Sequence, residues 1–207
     1  MAFQLIDLEN WERREFYEHF INEVVCTYSV VVNIDITNLK GQKLYPAMIW
    51  LLTRTVNDMP EFRTSLTPEG LGIYDDMHPM YTVFNKENKN FSGIWSYFSE
   101  DYNAFLKSYE DDSRKYSTST RMRPRRGRLP TLSIFPWYPG WSLRTSTSMC
   151  LMTVSSCCRF SPWANSLSGM ADGCCRWRSR CTTRSATGII SVCLWRSFRD
   201  ISINSNC

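Results

Sequence analysis

Residues 27–37, TYSVVVNIDIT, decide how the first half of the chain is read. Tyr28, Val30, Val32, Ile34 and Ile36 fall on one side of an extended chain and Asn33, Asp35 and Thr37 on the other. That period of two predicts a half-buried strand. Upstream, LENWERREFYEHFI (8–21) predicts a helix capped by Asn10, with Trp11, Phe16, Tyr17 and Phe20 roughly on one side. Downstream, NLKGQK is a turn, and YPAMIWLLTRTVNDM (45–59) is an apolar helix with Pro46 in its first turn and its end at Met59-Pro60.

Three short segments come next, EFRTSL (61–66), GLGIYD (70–75) and MYTVFNKE (80–87), divided by Pro, Gly and Asn. They predict strands in a meander. Residues 92–116 predict one long helix, because Ile94, Trp95, Phe98, Tyr102, Phe105, Leu106 and Tyr109 make a stripe at helical spacing. The expected fold is α+β, a mixed sheet with helices packed on it.

Composition breaks near residue 121. Residues 1–120 carry 11 basic and 18 acidic side chains, a net charge of −7, whereas residues 121–207 carry 13 Arg, no Lys and only Asp172 and Asp200, a net charge of +11. Eight of the nine cysteines also lie from Cys150 onward, leaving Cys26 alone in the acidic part. STSTRMRPRRGRLP (117–130) reads as a basic loop, and residues 143–188 show neither helical nor strand period. Only GIISVCL (188–194) suggests a strand, so this part is expected to be irregular. The expected division is 1–124, part of a folded domain, and 125–207, no reliable domain. The opening residues lack a basic, then apolar leader, and no apolar run is long enough to span a bilayer. A cytoplasmic protein without a membrane partner is expected, in a compartment where clustered cysteines do not normally form a disulfide framework.

In its first 120 residues the chain resembles chloramphenicol acetyltransferase. The resemblance rests on FQLIDLENWERREFYEHF (3–20), CTYSVVVNIDIT (26–37), LYPAMIWLLTRTVN (44–57), EFRTSL, YTVFNKENKNFSGIW (81–95) and EDYNAFLKSYEDD (100–112), in the family's order. It implies a homotrimer that moves acetyl from acetyl-CoA to a hydroxyl of chloramphenicol at subunit interfaces, without a metal. It also implies a histidine general base and a serine hydroxyl that stabilises the oxyanion. Phe20, Cys26, Tyr28 and Phe91 match the family's substrate side, although packing alone would also explain them. Arg13 matches a structural arginine that pairs with the aspartate of the family's histidine motif. Asn85 stands where histidine is common, and no catalytic consequence attaches to it.

The motif itself, two histidines, three other residues and Asp-Gly, is absent. The only histidines are His19, expected on the exposed or rim face of the first helix, and His78, expected in a surface turn. The genetic code offers an explanation: from roughly Pro124 the codons are read one base out of frame. The third base of each codon, joined to the first two of the next, then forms the family's codon. Cys181 (TGC) followed by Thr182 (AC-) spells CAC, histidine, and Thr182 with Thr183 spells CAC again when Thr182 ends in C. Continued through Gly188, the string reads HHAVCDG. The same shift allows PLAIQV from Cys175 into the two histidines, LPIFTMGK from Cys157 to Asn165, and an amphipathic closing segment, YHISVFVEELQRYIN, from Gly188 to Ile203. From Pro130 to Met149 it allows NTFNISMVPWVEFEDFNLN, which moves the family serine to the junction of Phe135 and Pro136. Ser133 in LSIFPW (132–137) is then a chance match and receives no role.

Rival readings of the basic part are weaker. Adjacent Cys157-Cys158 and Cys174-Cys175 do not offer the spacing of a zinc site. The Arg/Trp-rich composition allows electrostatic attraction to nucleic acid but carries no specific recognition motif. The alternative is therefore a noncatalytic protein whose basic Cys/Arg-rich tail binds nucleic acid or metal. Asp111 and Asp112 are expected at the solvated end of a helix.

Overall fold

The computed structural model describes residues 2–23, 27–35, 39, 41–127, 131–133, 158–159 and 174–182. In chain order it has β1 (Phe3–Leu5), α1 (Arg14–Glu18) running into a π-helical turn (His19–Glu23), β2 (Thr27–Asp35), α2 (Leu44–Asn57) and α3 (Pro60–Arg63). After these come β3 (Thr64–Thr67), β4 (Gly70–Tyr74), β5 (His78–Phe84), β6 (Phe91–Trp95), α4 (Tyr102–Tyr116), β7 (Thr131–Ser133), β8 (Cys158–Arg159) and β9 (Cys174–Thr182). Among the described residues the strands form three small sheets, ordered β1-β4-β3, β2-β9-β8 and β6-β5-β7. The last is mixed, with β5 antiparallel to β6 and parallel to β7. The expected α+β class with a mixed sheet is therefore observed.

Helix α2 organises the core. Ala47, Met48, Ile49, Leu52 and Val56 are sealed against Phe62, Met77, Tyr81, Ile94 and Phe105. Each fully buried aliphatic or phenyl side chain contributes roughly 1.5–3 kcal/mol of transfer free energy. The polar groups on this helix are answered locally: Thr53 and Thr55 each donate at 2.8 Å to the carbonyl one turn back, and the Trp50 indole N–H donates at 2.8 Å to the Ser99 carbonyl. In β4, Gly72 lies directly under β1. A Cβ there would stand 2.5 Å from the Gln4 carbonyl oxygen, so only glycine permits that approach.

Several elements differ from the sequence expectation. Helix α1 begins at Arg14, not near Asn10, because the Asp7 carboxylate accepts from the Glu9 backbone N–H at 3.0 Å and from Asn10 Nδ2 at 2.6 Å. Those bonds close a turn over residues 7–10 ahead of the helix and hold the Asn10 side chain toward Asp7. Tyr17 is buried on α1, whereas Phe16 is 59% exposed. Pro60 starts the one-turn helix α3, so the segment read as a strand from Glu61 becomes extended only at Thr64.

The expected long helix over 92–116 is two elements. Residues 91–95 are a strand in register with β5, and α4 begins only at Tyr102. Asp101 sets that start, its carboxylate accepting from Asn103 N–H at 3.1 Å and Ala104 N–H at 3.2 Å. Asp101→Ala is expected to cost about 1 kcal/mol of stability, measurable by urea unfolding. Ile94 enters the same core from a strand that the helical stripe would have assigned to a helix. The meander is likewise divided, β3–β4 lying in one sheet and β5–β6 in another.

In the basic part, β8 and β9 lie within the stretch that showed no strand period, and β7 lies where no strand was expected. All nine residues of β9 pair with β2, so backbone pairing with a neighbour supplies what the side-chain pattern does not. The expected strand at 188–194 lies outside the described residues.

Candidate active site

Strand β2 carries Tyr28, and the register of its partner sets residues 181 and 182 beside it. Tyr28 is opposite Cys181 and Thr27 is opposite Thr182. On the out-of-frame expectation, these are the residues whose codons would join to spell the first histidine. Cys181 is also opposite Cys158 on β8. Thr183 and Cys26 lie outside the described residues.

The remaining candidates are distributed over other elements. Phe20 is half-buried in the π-helical turn, its ring meeting His19 edge-on at 5.1 Å. Phe91 opens β6 opposite Phe84 and is 40% exposed, in a sheet separate from that of Tyr28. Arg13 is not left unpaired by the missing aspartate, since its guanidinium stands 3.7 Å from the Glu61 carboxylate. Both side chains are partly exposed, and such a pair contributes at most about 1 kcal/mol.

Neither histidine has the surroundings of a general base. His19 is exposed and its Nδ1 is 2.7 Å from Glu23. His78 is not a surface residue. It opens β5 with 6% exposure, and its Nδ1 accepts from the Phe98 N–H at 3.1 Å, which assigns the neutral ring's proton to Nε2. Burial holds its pKa below the ordinary 6.5, partly offset by Asp76. The unfolded chain therefore takes up this proton first as pH falls. The stability due to neutral His78 is complete above about 6.5 and is lost as pH drops from there through the lower folded value. His78→Asn keeps an acceptor for Phe98 and removes the titration, so its unfolding free energy is expected to be flatter across that window in denaturant titrations at stepped pH.

Two polar clusters were not visible as such in the sequence. Asn85 is buried, donating from Nδ2 to the Ser119 carbonyl at 3.3 Å while its Oδ1 accepts from Glu87 N–H at 2.9 Å. It ties the β5–β6 loop to the end of α4. Asp112, expected in solvent, is only 17% exposed. Its carboxylate accepts from the Ser96 hydroxyl at 2.5 Å and pairs with Arg125 at 2.5 Å, while the Tyr81 hydroxyl lies 2.8 Å from Ser96 Oγ. Burial raises the Tyr81 pKa well above the ordinary phenol value, keeping it neutral. Asp111 does face solvent, 3.9 Å from Arg114.

The sequence pattern of the family described as chloramphenicol acetyltransferase matches residues 1–147. A chloramphenicol acetyltransferase of Clostridium perfringens is 42% identical over 155 residues, covering 69% of this chain and 71% of its own. One of Clostridioides difficile is 39% identical over 151 residues, covering 69% and 71%. Among solved structures, a chloramphenicol acetyltransferase superposes with a TM-score of 0.68 at 17% identity, covering 96% of this chain and 99% of its own. A probable dihydrolipoamide acetyltransferase of Listeria monocytogenes superposes at 0.59 with 9% identity, covering 95% of each chain. The structural likenesses bear on the fold alone. Together with the sequence matches, they place the chain among acyltransferases of α+β architecture. The chain belongs to the chloramphenicol acetyltransferase family.

Proposed function

We propose that the gene encodes a chloramphenicol O-acetyltransferase, and that the 207-residue chain as written is inactive because its second part, from near residue 124, is read one base out of frame. The intact enzyme would be a cytoplasmic homotrimer conferring resistance to the antibiotic, with acetyl-CoA as co-substrate and no metal. Its histidine takes the hydroxyl proton of chloramphenicol as that oxygen attacks the thioester carbonyl. The tetrahedral oxyanion then collapses, and CoA leaves as the thiol with the proton returned by the imidazolium. Phe20, Cys26, Tyr28 and Phe91 are the candidates for contact with chloramphenicol, and Arg13 for support of the histidine loop.

What carries this reading is that the amino acids at 181–188 allow codons that spell the family's histidine motif one base out of frame. Its support is twofold: a one-base shift recovers other family segments without further adjustment, and β9 sets the start of the motif against Tyr28. The test is release of CoA thiol from acetyl-CoA in the presence of chloramphenicol. The purified 207-residue chain is expected to give no rate above the enzyme-free control, and a normal enzymatic rate overturns the inactivity.

The excess of 11 positive charges beyond residue 120 favours one second reading, a noncatalytic chain whose tail binds nucleic acid or metal. Salt-sensitive retention on DNA, or stoichiometric zinc in the purified protein, would support it.

A further inference from the structure

Residues 121–127 belong by composition to the basic part, yet they are built into the acidic part's fold. The Ser92 hydroxyl donates to the Arg121 carbonyl at 2.7 Å, and the Gly93 N–H to the Met122 carbonyl at 2.7 Å. Those bonds use the backbone and would tolerate many sequences. Arg125 is different. Its guanidinium lies 3.8 Å from the Trp95 ring centroid, donates to the Trp95 carbonyl at 2.7 Å, and forms the 2.5 Å pair with Asp112. Arg125 and Asp112 are 19% and 17% exposed, so removing the cation would leave a largely desolvated carboxylate with, among the described residues, only the Ser96 hydroxyl as donor.

Asp112 is on α4, inside the part that keeps the family's order, and it needs a cation at this place. A second requirement stands two residues on. Gly127 has φ +103°, where a side chain is strained, and a Cβ there would come within 3.5 Å of the Trp95 ring. A segment decoded in an unrelated frame has no reason to supply both an arginine for Asp112 and a glycine for this left-handed position. We infer that the original reading frame runs through Gly127, so that the change of frame falls in codons 128–130, beyond the compositional break. This rests on the out-of-frame reading of the second part.

The test is a pair of full-length genes, each with one compensating base, placed in codons 128–130 in the first and in codons 118–121 in the second. The first keeps Arg125 and Gly127, and it is expected to restore chloramphenicol acetylation. The second re-encodes both and is expected to be at least about a hundredfold less active. Equal activity of the two, or activity of the second alone, overturns the location while leaving the out-of-frame reading intact. Inactivity of both overturns that reading and the location with it. In the 207-residue chain itself, Arg125→Met is expected to speed amide hydrogen exchange at Gly93 at least about tenfold, and Arg125→Lys less. Unchanged exchange in Arg125→Met would remove the structural ground for the inference.

Discussion

A single compensating base that returns residues beyond 130 to the family's frame is expected to raise the rate of chloramphenicol acetylation from background by at least about a hundredfold to ten-thousandfold. That is the range a positioned general base supplies by itself. The true gain should lie at or above its upper end, because the same base also restores the oxyanion serine and the strand that leads into the histidine motif. The control is internal. Changing both restored histidines to alanine should return the rate most of the way to background while the protein stays folded. A restored chain that acetylates equally well without those histidines would show that the base lies elsewhere, and His78 would then need to be reconsidered despite its burial and its bond to Phe98.

The second large effect concerns the core built within the acidic part. Phe105 is fully buried on α4, its ring 6.4 Å from that of Tyr109, and it closes the core against α2 and Ile94. Phe105→Ala is expected to cost about 3–5 kcal/mol, since both the transfer energy and the cavity term are lost. The frame-restored chain is the place to measure it, by the shift of the urea midpoint at constant slope. A loss below about 1 kcal/mol would mean that α4 is not seated on α2 as described. Phe16, on the same scale, should be nearly silent, because it is 59% exposed.

Periodicity carried some of this fold and failed at identifiable places. Strand β2 and helix α2 were readable because each has an uninterrupted run with one period. Residues 91–95 were not, because a short apolar run fits both a strand and the first turns of a helix, and pairing with β5 decides between them. The start of α1 follows a turn that Asp7 closes with the Glu9 N–H and Asn10 Nδ2, a local arrangement that spacing does not settle. Burial of His78 and Asp112 was illegible for a related reason. Their surroundings come from Phe98, Ser96 and Arg125, brought in by other elements.

The candidate site was legible in an unusual way. Its candidate pocket-side residues were named by resemblance from segments within the first 120 residues, whereas the proposed base requires CTTRSATG (181–188) to be treated as nucleotides. The amino acids of β9 have no strand alternation of their own. Strand β9 nevertheless pairs residue for residue with β2 and sets Cys181 opposite Tyr28.

The most direct test is the nucleotide sequence of codons 181 to 188. The out-of-frame account requires Cys181 to be encoded by TGC and Thr182 by a codon ending in C, so that the shifted frame reads His-His and continues to Asp-Gly. A TGT codon at Cys181 would spell tyrosine in the shifted frame and would contradict the account.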